Sequence, residues 1–122
     1  SVAYQNDKID HKIPIGSIKS NMGHLTAAAG VVGLIKSTLI LHHKQLVPSI
    51  NYTKPNPEIN FQALPFEIIT ELRRLADDKN LYAGISSFGV GGTNVHAVIA
   101  SYKRPIIEDY TADDDEEVLI CL

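Results

Sequence analysis

The chain has 122 residues, 44% of them hydrophobic and 20% charged, with a formal net charge of −3, which fits one small globular domain or part of one and excludes a disordered segment. The acidic balance, with no basic stripe interleaved with aromatics, argues against a general nucleic-acid binder, and the uncharged apolar run at residues 25–35 is too short to span a bilayer. With no secretory signal and Cys121 as the only cysteine, the chain reads as cytoplasmic, with no internal disulfide and no CxxC metal site; its histidines lack zinc-ligand spacing, so no metal is expected.

Residues 1–12 are polar, start without Met and carry no capping signal, so they read as a cut end. Residues 13–18 alternate and are rich in β-branched side chains, as in a buried strand. A short polar turn follows, with Lys19, Ser20, Asn21 and His24, and it feeds a helix expected from residue 25 to about His43. The first eleven residues of that helix carry no charge and a single hydroxyl. A helix apolar on every face has to be enclosed by other layers, so this one is expected to be central. The turn thus gathers a cation, two hydrogen-bonding side chains and an imidazole at a helix N-terminus, where free N–H groups and partial positive charge are available. Low dielectric and a neighbouring cation would favour a neutral His24, able to donate to a developing oxyanion. The plain alternative has Ser20 and Asn21 as caps, Lys19 as a solvated strand end and His24 as a satisfied hydrogen-bonder.

His42 and His43, followed by Lys44, suit a helix C-terminus better than a metal. Residues 45–60, with three prolines and several Asn, form an ordered but irregular excursion at the surface. Residues 65–70 are a short strand, and the charged stretch 72–80 a surface loop or a short turn of helix. Two further strands, 81–87 and 94–101, flank Phe88-Gly89-Val90-Gly91-Gly92-Thr93, whose glycines free the backbone for positive φ and close approach. A tight hairpin between antiparallel strands fits this spacing. A phosphate cradle fits less well, since the P-loop lysine and the following helix are missing. His96, in the last strand, reads as structural. Beyond residue 103, five consecutive acidic residues, Asp113-Asp114-Asp115-Glu116-Glu117, suggest a solvated linker, and residues 118–122 the first strand of something further on.

Two blocks together point to a family. Gly16-Ser17-Ile18-Lys19-Ser20-Asn21-Met22-Gly23-His24, continued by Leu25-Thr26-Ala27-Ala28-Ala29-Gly30-Val31, resembles the Lys/His motif of β-ketoacyl synthases in its modular type I polyketide synthase form. Ser86-Ser87-Phe88-Gly89-Val90-Gly91-Gly92-Thr93-Asn94-Val95-His96 resembles the glycine-rich loop and strand near the C-terminus of the same ketosynthase domains. Two such motifs in order, about sixty residues apart, are more specific than either alone. The resemblance covers residues 13–101.

The resemblance implies an α/β fold: the C-terminal half of a thiolase-like layered domain, a mixed sheet packed around a buried helix. Residues 1–103 would be the C-terminal portion of a ketosynthase domain and 104–122 an acidic linker after it. The nucleophilic cysteine and the first active-site histidine would come from the N-terminal half, so this chain alone should be inactive; Cys121 lies beyond the second motif and does not match that nucleophile. The resemblance gives catalytic roles to His24, which would donate a hydrogen bond to the extender thioester carbonyl, and to Lys19, which would orient it and tune its protonation. It makes Val90 the backbone oxyanion donor, in a loop with Phe88, Gly89 and Gly91 at the acyl pocket; Val90 departs from the Phe found in many relatives, so no bulky gate is expected. The reaction implied is the decarboxylative Claisen condensation of an acyl-enzyme with a malonyl-type extender. No cofactor is expected in the chain itself, the substrates riding on the phosphopantetheine of an acyl carrier protein. The partners implied are the N-terminal half of the same domain, a second copy of the complete domain, and the carrier protein. Two other readings stay open: a non-elongating ketosynthase that holds or passes on acyl chains or serves as an assembly surface, and a self-sufficient small α/β binding domain using the glycine loop for a phosphate or carboxylate.

Overall fold

The computed structural model describes residues 12–76 and 80–102. The polar start, the acidic run, the expected boundary after residue 103 and Cys121 lie outside the described residues.

Strand β1 (Ile13–Ile15) is followed by a four-residue helix α1 (Lys19–Met22), a 3₁₀ turn (Thr26–Ala28) and the long helix α2 (Ala29–His43). The remaining elements are β2 (Gln45–Leu46), β3 (Phe66–Ile68), β4 (Arg73–Arg74), β5 (Tyr82–Phe88) and β6 (Asn94–Ala100). They pair as three two-stranded sheets: β1 with β3 in parallel, β2 with β4 antiparallel and β5 with β6 antiparallel. The α/β character expected from the sequence is therefore present, with both strand orientations.

The longest pairing is the β5–β6 hairpin, where seven consecutive pairs run from Tyr82↔Ala100 to Phe88↔Asn94. Alternation fixes its faces: Ala83, Ile85 and Ser87 of β5 are partly covered, while Tyr82, Gly84, Ser86 and Phe88 are exposed. Helix α2 packs against β5, and glycine makes the approach possible. A Cβ on Gly30 would stand 3.0 Å from both Cβ and Oγ of Ser87, whereas one on Gly33 would keep an ordinary contact distance of 3.5 Å from Ile85 Cγ2. At its other end α2 closes on Lys44, whose left-handed backbone (φ 52, ψ 44) lets its N–H reach the Ile40 carbonyl.

The excursion after β2 is irregular and ordered by side chains acting on the backbone, as its Asn content predicts. Asn56 Oδ1 accepts the Glu58 N–H at 3.0 Å, and Asn60 Oδ1 accepts the N–H groups of Gln62 and Ala63 at 3.1 and 3.3 Å. Ser49 N–H donates to Ile69 O at 2.8 Å, tying the start of the excursion to the residue after β3.

Several local expectations differ. The polar turn is a turn of helix, α1. The long helix begins at Ala29, not at residue 25, because Thr26 has φ 45, outside the α-helical region. Within the stretch read as a loop, Arg73 and Arg74 form β4 on β2, and Arg73 Nη1 reaches Glu67 Oε1 at 2.6 Å. The helix expected to be buried is covered on one side. Leu41 is its only buried residue, while Val31, Ile35 and Leu39, four residues apart on one stripe, are each more than half exposed. Among the described residues, β5 packs against α2 and none covers that stripe.

Candidate functional site

Short-range hydrogen bonds give the connection between β1 and α2 its local shape. The Ser17 hydroxyl accepts the Lys19 N–H at 3.2 Å; the Ile18 carbonyl accepts the N–H groups of Asn21 at 2.9 Å and Met22 at 3.3 Å. Gly23 N–H donates to the Lys19 carbonyl at 2.9 Å, and at φ 78 Gly23 ends α1 in a backbone conformation that glycine adopts without strain. This places His24 just beyond α1 and ahead of the 3₁₀ turn.

One hydrogen bond then determines what the imidazole can do. The Thr26 N–H donates to His24 Nδ1 at 2.9 Å. An N–H pointing at Nδ1 leaves no place for a proton there, so the ring proton is assigned to Nε2 and that edge of the ring is a donor. To turn its N–H back onto the ring, Thr26 adopts its φ of 45, unusual for a β-branched residue and the kind of local strain that a site retains.

Lys19 and His24 line the same cavity, of about 630 Å³, together with Thr26, Lys36, Ser87 and Phe88. No Asp or Glu is among the described residues that line it, so the charge on its walls is cationic. The Lys19 ammonium has no hydrogen-bond partner among the described residues, and it is exposed.

The glycine loop is the tip of the β5–β6 hairpin. Gly89 N–H donates to Thr93 O at 2.8 Å and Gly92 N–H to Gly89 O at 3.0 Å, with Gly92 at φ 91. Gly89 has to be glycine for another reason: a Cβ there would meet Thr93 O at 2.8 Å. Val90 is fully exposed, and its N–H has no acceptor among the described residues. Thus Phe88 is brought to the cavity of Lys19 and His24, whereas Gly89, Val90 and Gly91 are not among its lining residues. His96 pairs across the hairpin with Ser86, Ser86 Oγ and His96 Nδ1 lying 2.8 Å apart, which is the structural use the sequence suggests. The rings of His42 and His43 meet edge to face in the last turn of α2, with centroids 4.9 Å apart.

Lys36 is the cavity residue that sequence reasoning missed. It lies on the α2 face shared by Ala29, Gly33 and Ile40, all lining the cavity. Its ammonium donates to Ser17 O at 3.3 Å, and burial pushes it below the ordinary lysine range. The available signal was spacing: residues 29, 33, 36 and 40 share one helical face, and Lys36 is the one charge on it.

Comparison with known proteins agrees along nearly the whole chain. The family model described as the β-ketoacyl synthase C-terminal domain matches residues 1–53, and the ketoacyl-synthetase C-terminal extension matches residues 55–122. The polyketide synthase PksN of Bacillus subtilis is 44% identical over 102 residues, which is 83% of this chain and 2% of that protein. The polyketide synthase GfsA of Streptomyces halstedii is 46% identical over 104 residues, 82% of this chain and 1% of that protein. Among solved structures, the ketosynthase from module 6 of the bacillaene synthase of Bacillus subtilis 168 superposes with a TM-score of 0.78 at 44% identity, over 85% of this chain and 20% of that one. The oxazolomycin ketosynthase domain OzmH KS7 of Streptomyces albus JA3453 gives 0.76 at 35% identity, over 84% and 19%. The chain therefore spans a small fraction of the curated relatives and about a fifth of the solved domains.

Proposed function

Since this chain belongs to the β-ketoacyl synthase family, as a C-terminal part of a polyketide synthase ketosynthase, we propose that it supplies the condensing half of the site in a domain that carries out decarboxylative Claisen condensation. A cysteine from the N-terminal half of the domain accepts an acyl group from the phosphopantetheine thiol of a carrier protein, that thiol being released. The Val90 N–H, with no acceptor of its own, helps hold the tetrahedral oxyanion of that step. A malonyl-type extender, also on carrier protein, then loses carbon dioxide; the electron pair of the broken C–C bond becomes the enolate. The enolate carbon attacks the acyl carbonyl, a C–C bond forms, and the cysteine leaves as thiolate.

His24 is assigned the hydrogen bond to the extender thioester oxygen, where negative charge develops as carbon dioxide departs. The observation that carries this reading is the Thr26 N–H on Nδ1, which leaves Nε2–H as the donor. Lys19, on the same cavity wall, adds positive charge beside the growing enolate and supports His24. The stripe of Val31, Ile35 and Leu39 is proposed to pack against the N-terminal half of the same domain, since about half of each of these side chains is left open here. Pairing of two complete domains and docking of the carrier protein complete the proposed set of partners.

The reading is tested in the complete ketosynthase domain by following two steps separately: acyl loading of the cysteine by intact mass, and release of the elongated product. His24→Ala is expected to load normally and to elongate about 10²-fold or more slowly, the usual cost of removing an oxyanion donor. Elongation at the unaltered rate in His24→Ala would falsify the assignment. A wild-type domain that loads and never elongates would make it an acyl holder instead.

A further inference from the structure

The segment that bears Lys19 has little to fix it from within. Helix α1 is four residues long, has no side-chain cap and buries none of its residues, and a single helical turn is unstable alone because nucleation orders several dihedrals for one hydrogen bond. Its place is set from outside, by two donors that grip carbonyls on either side of Lys19. The Lys36 ammonium donates from α2 to Ser17 O at 3.3 Å, and the Asn51 amide donates from the loop after β2 to Ser20 O at 3.4 Å.

Of the two grips, that of Lys36 is stronger in kind, since its donor is charged. It is also the costlier to keep. The side chain lies on a helix face otherwise made of Ala29, Gly33 and Ile40, and no carboxylate lines the cavity there. An ammonium partly withdrawn from water without a counter-ion is unfavourable unless its hydrogen bonds compensate. The one acceptor it has among the described residues is the Ser17 carbonyl.

We propose that Lys36 is a positioning residue: from α2 it fixes the Ser17 carbonyl, and so the placement of residues 17–24, such that Lys19 and His24 face one cavity. The grip is a matter of geometry. Its consequence for catalysis rests on the roles proposed above for Lys19 and His24.

The test uses the complete ketosynthase domain and two readouts, hydrogen exchange followed by mass spectrometry and elongation compared with acyl loading. Lys36→Met keeps the stem and removes the donor; Lys36→Arg keeps a charged donor. In Lys36→Met the amides of Asn21, Met22 and Gly23, which close α1, are expected to exchange about tenfold faster, with those of β5 and β6 unchanged, and Lys36→Arg is expected to recover most of the protection. Elongation falls in parallel by about tenfold while loading is kept. Should Lys36→Met not fold, Lys36→Gln, shorter and uncharged, reads the same amides. Unaltered exchange over residues 17–24, or a uniform rise that includes β5 and β6, overturns the proposal. Faster exchange confined to 17–24 with elongation unaffected upholds the grip and removes Lys19 and His24 from elongation, so the two ideas fail by different results.

Discussion

The hairpin β5–β6 and the connection through α1 both present motif residues, and they are stabilised in opposite ways. The hairpin makes its geometry from its own backbone: seven cross-strand pairs, two loop hydrogen bonds at the tip and a glycine where no side chain would fit. The connection has one turn of helix, and side chains from α2 and from the loop after β2 hold it in place. A self-paired hairpin can present a backbone N–H in a fixed place without help. A segment gripped from outside can be adjusted through residues far away in sequence, and it carries the side chains, Lys19 and His24, to which the chemistry is assigned.

This contrast predicts that changes in the connection alter rate more than stability, and changes in the hairpin the reverse. The largest effect expected is that of His24→Ala, about 10²-fold or more on elongation. Its folding cost is expected to stay within about 1 kcal/mol, because His24 is exposed and gives up one hydrogen bond. A denaturation midpoint beside a rate measurement checks both, and a large stability loss would mean that the connection is more self-sufficient than its hydrogen bonds suggest. Next is Gly89→Ala. The added Cβ lies 2.8 Å from the Thr93 carbonyl, a backbone atom that cannot rotate away, so the tip has to open at a cost of about 2 kcal/mol. Urea denaturation reads this, and an unchanged midpoint would show the tip to be pliable.

How far the sequence revealed all this depended on the range of the interactions that decide each element. The hairpin was legible because alternation and clustered glycine are local signals, and the end of α2 because two histidines and a lysine mark a helix C-terminus. The start of α2 was not, since Thr26-Ala27-Ala28 has helical composition and only the non-glycine positive φ of Thr26, which no local rule foresees, delays the helix. Two-residue strands such as β2 and β4 are defined by their partner and carry no period of their own. The Lys19 and His24 pair was visible as a motif, whereas the Thr26 bond to Nδ1 and the exposure of Val90 are tertiary facts. Lys36 went unread because it stands just beyond the uncharged run, and its meaning depends on a carbonyl nineteen residues earlier.

The two glycines of α2 give the finest test of the contrast, because they differ by one turn of helix and by half an ångström. At both positions alanine would gain about 1 kcal/mol of helix propensity. At Gly30 that gain meets Ser87, whose Cβ and Oγ both lie 3.0 Å from the new methyl group. Rotating the hydroxyl away leaves the Cβ in place, so helix and strand have to separate, and overpacking of this kind typically costs 1–3 kcal/mol. Gly30→Ala is therefore expected to lose about 1 kcal/mol net. At Gly33 the nearest atom is Ile85 Cγ2 at 3.5 Å, an ordinary van der Waals distance, so the methyl group fits and Gly33→Ala is expected to gain about 0.5 kcal/mol or more. Opposite signs in two denaturation curves would show that the hairpin dictates how close α2 may come and that only the turn of helix nearest the Lys19 connection is packed to its limit. Equal signs would show α2 free to shift on β5, in which case the rigidity ascribed to the hairpin does not extend to the helix it supports.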